Sequence, residues 1–215
     1  MIQLHYFPGN ASFIPHVLLE ELGEKFELLY VDRTKAAHKA PAYLKLNPNG
    51  LIPVFVDGDL VLYETAAICL HLADTHPQAK LAPAPGTPER AHFYKWLAWM
   101  TNTLQATLTL YFYPERWVNE GNAAGAAEVK AHAEAKIGGL LDQVDAQLAA
   151  HRKDWFLGER FSALDAYGFV LCRWTRGFAR PARSLPHLGP WLERMRARPA
   201  VQRVFAKEKL AAPYV

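Results

Sequence analysis

Residues 2–31 read IQLHYFPGNASFIPHVLLEELGEKFELLYV, and the change of hydrophobic period inside them decides the fold. Ile2 to Phe7 suits a strand, which Pro8-Gly9 breaks. Ile14, Val17, Leu18 and Leu22 then recur at helical spacing until Gly23 closes the run. Pro15 falls in the first turn of that helix, where a missing N–H does no harm. Phe26 to Val31 reads as a second strand. Strand, helix and strand at this separation predict a right-handed parallel crossover.

Working outward, Val54 to Val56 and Leu60 to Tyr63 flank Asp57-Gly58, a two-residue hairpin signal. Ala66 to Ala73, with Ile68 and Leu72, reads as a helix. The expected order is βαβ, a short irregular helix, then ββα, which makes an α/β domain with a mixed sheet over residues 1–77. Residues 78–88 turn to Pro, Ala and Gly and read as a linker. Residues 89–215 read as all-helical. Phe93, Trp96, Leu97, Met100, Leu104 and Leu108 share one face of a long helix, and Val129, Ile137, Leu141 and Val144 line another. The stretch from Gly121 to Ala127 reads as a loop between them. Ser162-Ala163-Leu164-Asp165 forms a capping-box pattern. Leu188, Trp191, Leu192 and Met195 mark a further helix that Pro199 is expected to stop.

The chain has 215 residues, with 24 Lys+Arg against 21 Asp+Glu and a formal net charge of +3. That length supports a large core without a staple, and the charge balance is too even for a polyelectrolyte or a nucleic-acid binder. No run of about 18 apolar residues occurs, so no membrane span is expected. The opening MIQLHYFPG carries no basic segment before an apolar run, so no signal peptide is expected either. Two well-separated cysteines, Cys69 and Cys172, fit a reducing, cytoplasmic compartment, and neither a zinc cluster nor a CxxC pair is present. The arginines from Arg173 to Arg203 read as a solvated helix face.

Three stretches in order, Asn47-Pro48-Asn49-Gly50-Leu51-Ile52-Pro53-Val54, then Glu64-Thr65, then Ser162 to Asp165 with Ala166-Tyr167, carry a resemblance. Together with the βαβ-ββα order and the helical second half, they resemble the cytosolic glutathione S-transferases across essentially the whole chain. Tyr6, Pro8-Gly9, Ser12, Pro15-His16 and Asp32-Arg33-Thr34-Lys35 look like the bacterial beta class. Two positions depart from that class: Ala11 stands at its cysteine, and Gln105 stands at a histidine of the first long helix. The resemblance implies a thioredoxin-like N-terminal domain and a homodimer. It also implies glutathione as co-substrate without a metal, and a hydrophobic electrophile as acceptor in detoxification. Glutathione-dependent peroxide reduction and a non-catalytic glutathione-binding stress protein are the alternatives.

Such a transferase must hold an acidic tripeptide and ionise its thiol. A free thiol has a pKa of about 8.5, and a helix N-terminus with a hydrogen-bond donor lowers it by about two units, or about 2.7 kcal/mol. Ser12, opening the first helix, is expected either to supply that donor or merely to cap the helix. Asn10 in the same turn and Tyr6 at the strand end are its rivals. In the resembled fold Pro53 is cis, turning the N–H and C=O of Ile52 outward to pair with the cysteinyl part of glutathione. Thr65 can offer its hydroxyl and N–H to the γ-glutamyl carboxylate, and Glu64 can meet the ammonium group. Lys35, with Arg33 and His38 behind it, is expected either to meet the glycyl carboxylate or to be a solvated loop charge. Tyr111, Tyr113 and Trp117, beside Arg116, read either as core or as the wall of an apolar acceptor site.

Overall fold

The computed structural model describes residues 1–215. It divides into two compact units, Met1–Ala84 with Arg196–Tyr214, and Pro85–Met195 with Val215. The boundary at residue 84 falls inside the expected linker. The return of residues 196–214 to the first unit departs from the expected all-helical span of 89–215.

The first unit is built on a four-stranded sheet in the order β2-β1-β3-β4, from β1 (Ile2–Tyr6), β2 (Phe26–Tyr30), β3 (Val54–Asp57) and β4 (Leu60–Tyr63). β1 and β2 are parallel and the other pairs antiparallel, as the crossover and hairpin signals require. Three helices follow the expected order, α1 (Phe13–Leu22), α2 (Pro41–Leu44) and α3 (Thr65–Thr75). Leu4, Ile14, Val17, Leu18, Ile68 and Cys69 are fully buried and form the core. The hairpin turn sits one residue later than expected. Asp57 pairs with Leu60, so Gly58 and Asp59 are central, and Gly58 takes the positive φ of 57° that the first position needs.

The second unit is helical. α4 (Pro88–Trp99) begins with the Thr87 hydroxyl accepting from the Arg90 N–H at 3.2 Å. The expected single long helix is interrupted by a π-helical stretch over Met100–Gln105 before α5 (Ala106–Phe112). α6 (Ala123–His151) starts inside the stretch read as a loop. Its Asn122 side chain caps the Gly125 N–H at 2.9 Å, and the alanines around Gly125 are strong helix formers. α7 (Ala163–Arg173) carries the expected capping box, and α8 (Leu188–Ala197) follows.

α9 (Pro199–Lys207) was not expected. Pro199 stands in its first turn, where proline's missing N–H is harmless, so a signal read as a stop is a start. α9 belongs to the first unit and is fastened to α1. Arg198 forks onto Glu21 at 2.7 and 2.8 Å, Arg203 and Lys207 both meet the buried Glu20, and Phe13 packs on Phe205. Arg180 likewise pairs with Asp142 in the second unit, and Arg173 is buried. Arg180, Arg183, Arg194 and Arg203 are nonetheless exposed, so the arginine-rich segment is largely solvated as expected, while several of its members also hold ion pairs.

Candidate functional site

The sheet register gathers the chemistry at one end. His5, Val54 and Tyr63 lie in one row across β1, β3 and β4. β1 and β4 run toward that end and β3 runs away from it, so the residues after Tyr6, those before Val54 and those after Tyr63 are neighbours there. β2, parallel to β1, delivers residues 31–35 to the same end. The expected groups Asn10 to Ser12, Ile52-Pro53, Glu64-Thr65 and Asp32 to Lys35 thus share one edge of the first unit.

Phe7 to Ser12 form two successive turns. The Phe7 carbonyl accepts from the Asn10 N–H at 3.1 Å, and the Asn10 carbonyl accepts from the Phe13 N–H at 3.0 Å. The Asn10 side chain folds back so that Oδ1 accepts from the Ala11 N–H at 2.5 Å. This contact fixes the amide's orientation and leaves Nδ2 as the end that can donate. Ser12 is fully buried. Its hydroxyl donates to the Phe7 carbonyl at 3.1 Å and accepts from the Phe7 N–H at 3.3 Å. It makes no side-chain cap on α1, so the capping expectation fails: the hydroxyl turns toward the strand instead of the helix. The Tyr6 ring meets His16 and Tyr30 edge-on, at 6.4 and 5.9 Å between centroids. Burial, then Glu208 and Tyr30, push its phenol above the usual range, so it is neutral near pH 7.

Ile52-Pro53 is cis, as expected. Val54 opens the β1–β3 ladder, so Ile52 lies just outside it, and its N–H and C=O join no backbone hydrogen bond. The preceding loop is closely packed. Gly50 has φ +59°, and a Cβ there would stand 2.8 Å from the His38 carbonyl oxygen, which accounts for glycine. Lys39 Nζ donates to the Asn49 carbonyl at 3.1 Å, so His38 and Lys39 lie against this loop. Lys35 is 83% exposed and sits 3.8 Å from Asp32.

Thr65 is buried at the first position of α3, and Glu64 before it is exposed with φ +70° and ψ 109°. A non-glycine residue in that region costs about 1–3 kcal/mol, a strain found at ligand-binding positions. The aromatic residues of the second unit divide. Tyr111 packs on Phe178 at 4.2 Å with Lys130 over its ring, and Tyr113 carries Arg116 over its ring at 4.1 Å. Trp117 is 60% exposed and lines an open cavity of about 440 Å³ with Thr107, Leu110, Val129 and Ala133. Tyr111 is therefore packed against Phe178, Tyr113 has one face covered by the exposed Arg116, and Trp117 faces a cavity. Gln105 ends the π-helical stretch and accepts from the Tyr167 hydroxyl at 2.5 Å. Both cysteines are buried, with their thiols pushed up by burial, Cys172 to about 12.

Sequence reading missed Glu208, just beyond α9. Its Oε2 accepts from the Gly9 N–H at 2.8 Å, and Oε1 lies 2.8 Å from His16 Nδ1. Both side chains are fully buried. One carboxylate thus fixes the turn that carries Asn10 and the start of α1. No local pattern announces a contact across 199 residues. Glu208→Gln is expected to lower unfolding stability by about 1 kcal/mol, because the amide oxygen keeps the Gly9 N–H but its NH₂ can be met by His16 Nδ1 only after the ring moves its proton to the partnerless Nε2, and the charge on the acceptor is lost. An unshifted urea midpoint at equal slope would contradict this role.

Residues 2–74 match the family model "Glutathione S-transferase, N-terminal domain", and residues 99–199 match "Glutathione S-transferase, C-terminal domain". Among curated relatives, Glutathione S-transferase 3 of Zea mays is 35% identical over 206 residues, 91% of this chain and 89% of that one. Glutathione S-transferase GstA of Escherichia coli O157:H7 is 29% identical over 97% of this chain and all of its own length. Among solved structures, a glutathione transferase homolog from Sulfitobacter with bound glutathione superposes with a TM-score of 0.88 at 26% identity, covering 98% of this chain and 99% of its own. A glutathione transferase from Methylococcus capsulatus gives 0.83 at 33% identity, covering 98% of this chain and all of its own.

Proposed function

This chain belongs to the glutathione S-transferase family, and on that premise we propose that the gathered sheet end ionises the glutathione thiol and directs it at an apolar electrophile. The chain is a transferase that uses glutathione as co-substrate. The observation that carries the residue-level reading is the register that brings Asn10, Ile52 and Thr65 to one edge, each with donor or acceptor capacity open. Ile52 pairs like an added strand with the cysteinyl N–H and C=O. Thr65, at the N-terminus of α3, receives the γ-glutamyl carboxylate, favoured there by unpaired N–H groups and the helix dipole. Glu64 meets the ammonium group, and Lys35 meets the glycyl carboxylate.

Asn10 Nδ2 is the donor to the sulfur in this reading, with the first turn of α1 adding positive potential. Ser12 is a poorer donor because its hydroxyl hydrogen is committed to the Phe7 carbonyl. No cysteine lies at this edge, so the reacting sulfur is glutathione's own. A homodimer in a reducing cytoplasm and a detoxifying role complete the proposal. Calorimetric titration with glutathione, followed by turnover with an activated aryl halide, tests it. Binding and conjugation are expected together. Absence of glutathione binding would overturn it, and binding without turnover on aryl halides or hydroperoxides would favour a glutathione-binding stress protein.

A further inference from the structure

The planar peptide joining Leu51 to Ile52 is held from one side only. The Leu51 carbonyl accepts from the Tyr43 phenol at 2.7 Å and from Asn47 Nδ2 at 2.9 Å, which fills both of its lone pairs. Asn47 Oδ1 accepts from the Asn49 N–H at 3.0 Å, so its amide orientation is fixed as well. Tyr43 and Asn47 are both buried, whereas the Leu51 side chain is 52% exposed and supplies little anchorage. Tyr43 itself is set by packing with Val31, Ile52 and Val54 and by an edge-on contact with His5 at 5.8 Å.

In a trans peptide the C=O of one residue and the N–H of the next lie in one plane and point in opposite directions. The Leu51-Ile52 bond is trans, since the cis bonds are those before Pro53 and Pro213. Holding the Leu51 oxygen inward therefore aims the Ile52 N–H outward. We propose that Tyr43 and Asn47 are positioning residues for glutathione: their two hydrogen bonds to Leu51 orient the Ile52 N–H that the cysteinyl carbonyl accepts. This rests on the glutathione reading given above. The buried pair acts through the peptide plane and touches no ligand atom.

Tyr43→Phe keeps the ring and removes one hydrogen bond. Asn47→Asp keeps the shape and sets an oxygen against the Leu51 oxygen. Two ligands separate positioning from simple loosening: glutathione itself, and γ-glutamylcysteamine, which retains the thiol, the γ-glutamyl group and the amide N–H but ends before the cysteinyl carbonyl. Calorimetry is expected to show glutathione weakened about fivefold by Tyr43→Phe, and more by Asn47→Asp, with γ-glutamylcysteamine unchanged. Equal weakening of both ligands, or of neither, overturns the proposal. Wild-type protein that binds no glutathione would instead overturn the reading beneath it. Thermal melting of each variant identifies those that remain folded, and Tyr43→Phe, which keeps its packing, is expected among them.

Discussion

Asp165→Ala is expected to lower the free energy of unfolding by about 4 kcal/mol. Asp165 is fully buried at the start of α7, and four donors converge on its carboxylate. Oδ1 accepts from the Phe156 N–H at 2.8 Å and the Trp191 Nε1–H at 3.1 Å, and Oδ2 accepts from the Ser162 N–H at 2.8 Å and its hydroxyl at 3.1 Å. The hydroxyl can rotate to another acceptor, but the three N–H groups cannot follow. Each buried unpaired donor costs about 1–3 kcal/mol, and partial relaxation brings the sum to about 4. Urea unfolding with an unchanged slope measures it. A loss below about 1 kcal/mol would mean that water or another acceptor reaches those donors.

The same carboxyl makes stability depend on pH. Burial pushes its pKa up to about 6, against the hydrogen bonds that pull it down, while an unfolded Asp titrates at about 3.9. Between about pH 4 and 6 the folded chain therefore binds more protons at this site than the unfolded chain. Its contribution is greatest below about pH 4, falls as pH rises through 6 and is constant above. Asp165→Asn removes that slope, so the stability gap between wild type and variant is expected to change between about pH 4 and 6.5. A constant gap would refute it.

Asn10→Ala is expected to raise the pKa of bound glutathione's thiol by one to two units and to lower kcat/KM about 30- to 100-fold near pH 6.5, as removal of a preorganised donor to developing negative charge does elsewhere. The deficit should narrow at alkaline pH, where the thiol ionises unaided. Ultraviolet titration of the thiolate on the enzyme and a pH–rate profile read the two effects independently. Ser12→Ala is expected to leave the thiol pKa nearly unchanged while costing about 1–2 kcal/mol of stability, since the Phe7 N–H and C=O lose their partner. The opposite pattern, thiol pKa raised by Ser12→Ala and not by Asn10→Ala, would return the role to Ser12.

These contrasts mark where the sequence is legible. The βαβ-ββα order and the Ser162 to Asp165 box follow from short-range patterns, because each is a property of adjacent residues. The cis bond before Pro53 is implied only by the family resemblance of the 47–54 stretch, since a proline opening a strand is by itself more often trans. The direction of the Ser12 hydroxyl is not such a property. A serine before a helix normally caps it, and here the Phe7 backbone competes successfully for the same oxygen. Pro199 has two local meanings, terminator and first-turn residue, and only the apolar partners on α1 choose between them. With α9 unread, Glu208 and its hold on Gly9 and His16 could not be anticipated. The long helix was legible as an apolar stripe, but the π-helical stretch at Met100–Gln105 inserts without disturbing that stripe's composition.

The division of the chain also sets the order in which it can fold during synthesis. Residues 85–195 leave the ribosome as one uninterrupted stretch and have nearly all of their own core by the time Met195 emerges. The sheet-bearing unit is translated first yet stays incomplete, because α9 and Glu208 belong to it and are made last. Its N-terminal turn must therefore wait, unlatched, while the middle of the protein matures. The unit whose first residues are made earliest therefore needs residues 196–214 before it is complete, which departs from the N-terminal-first order usual for domains.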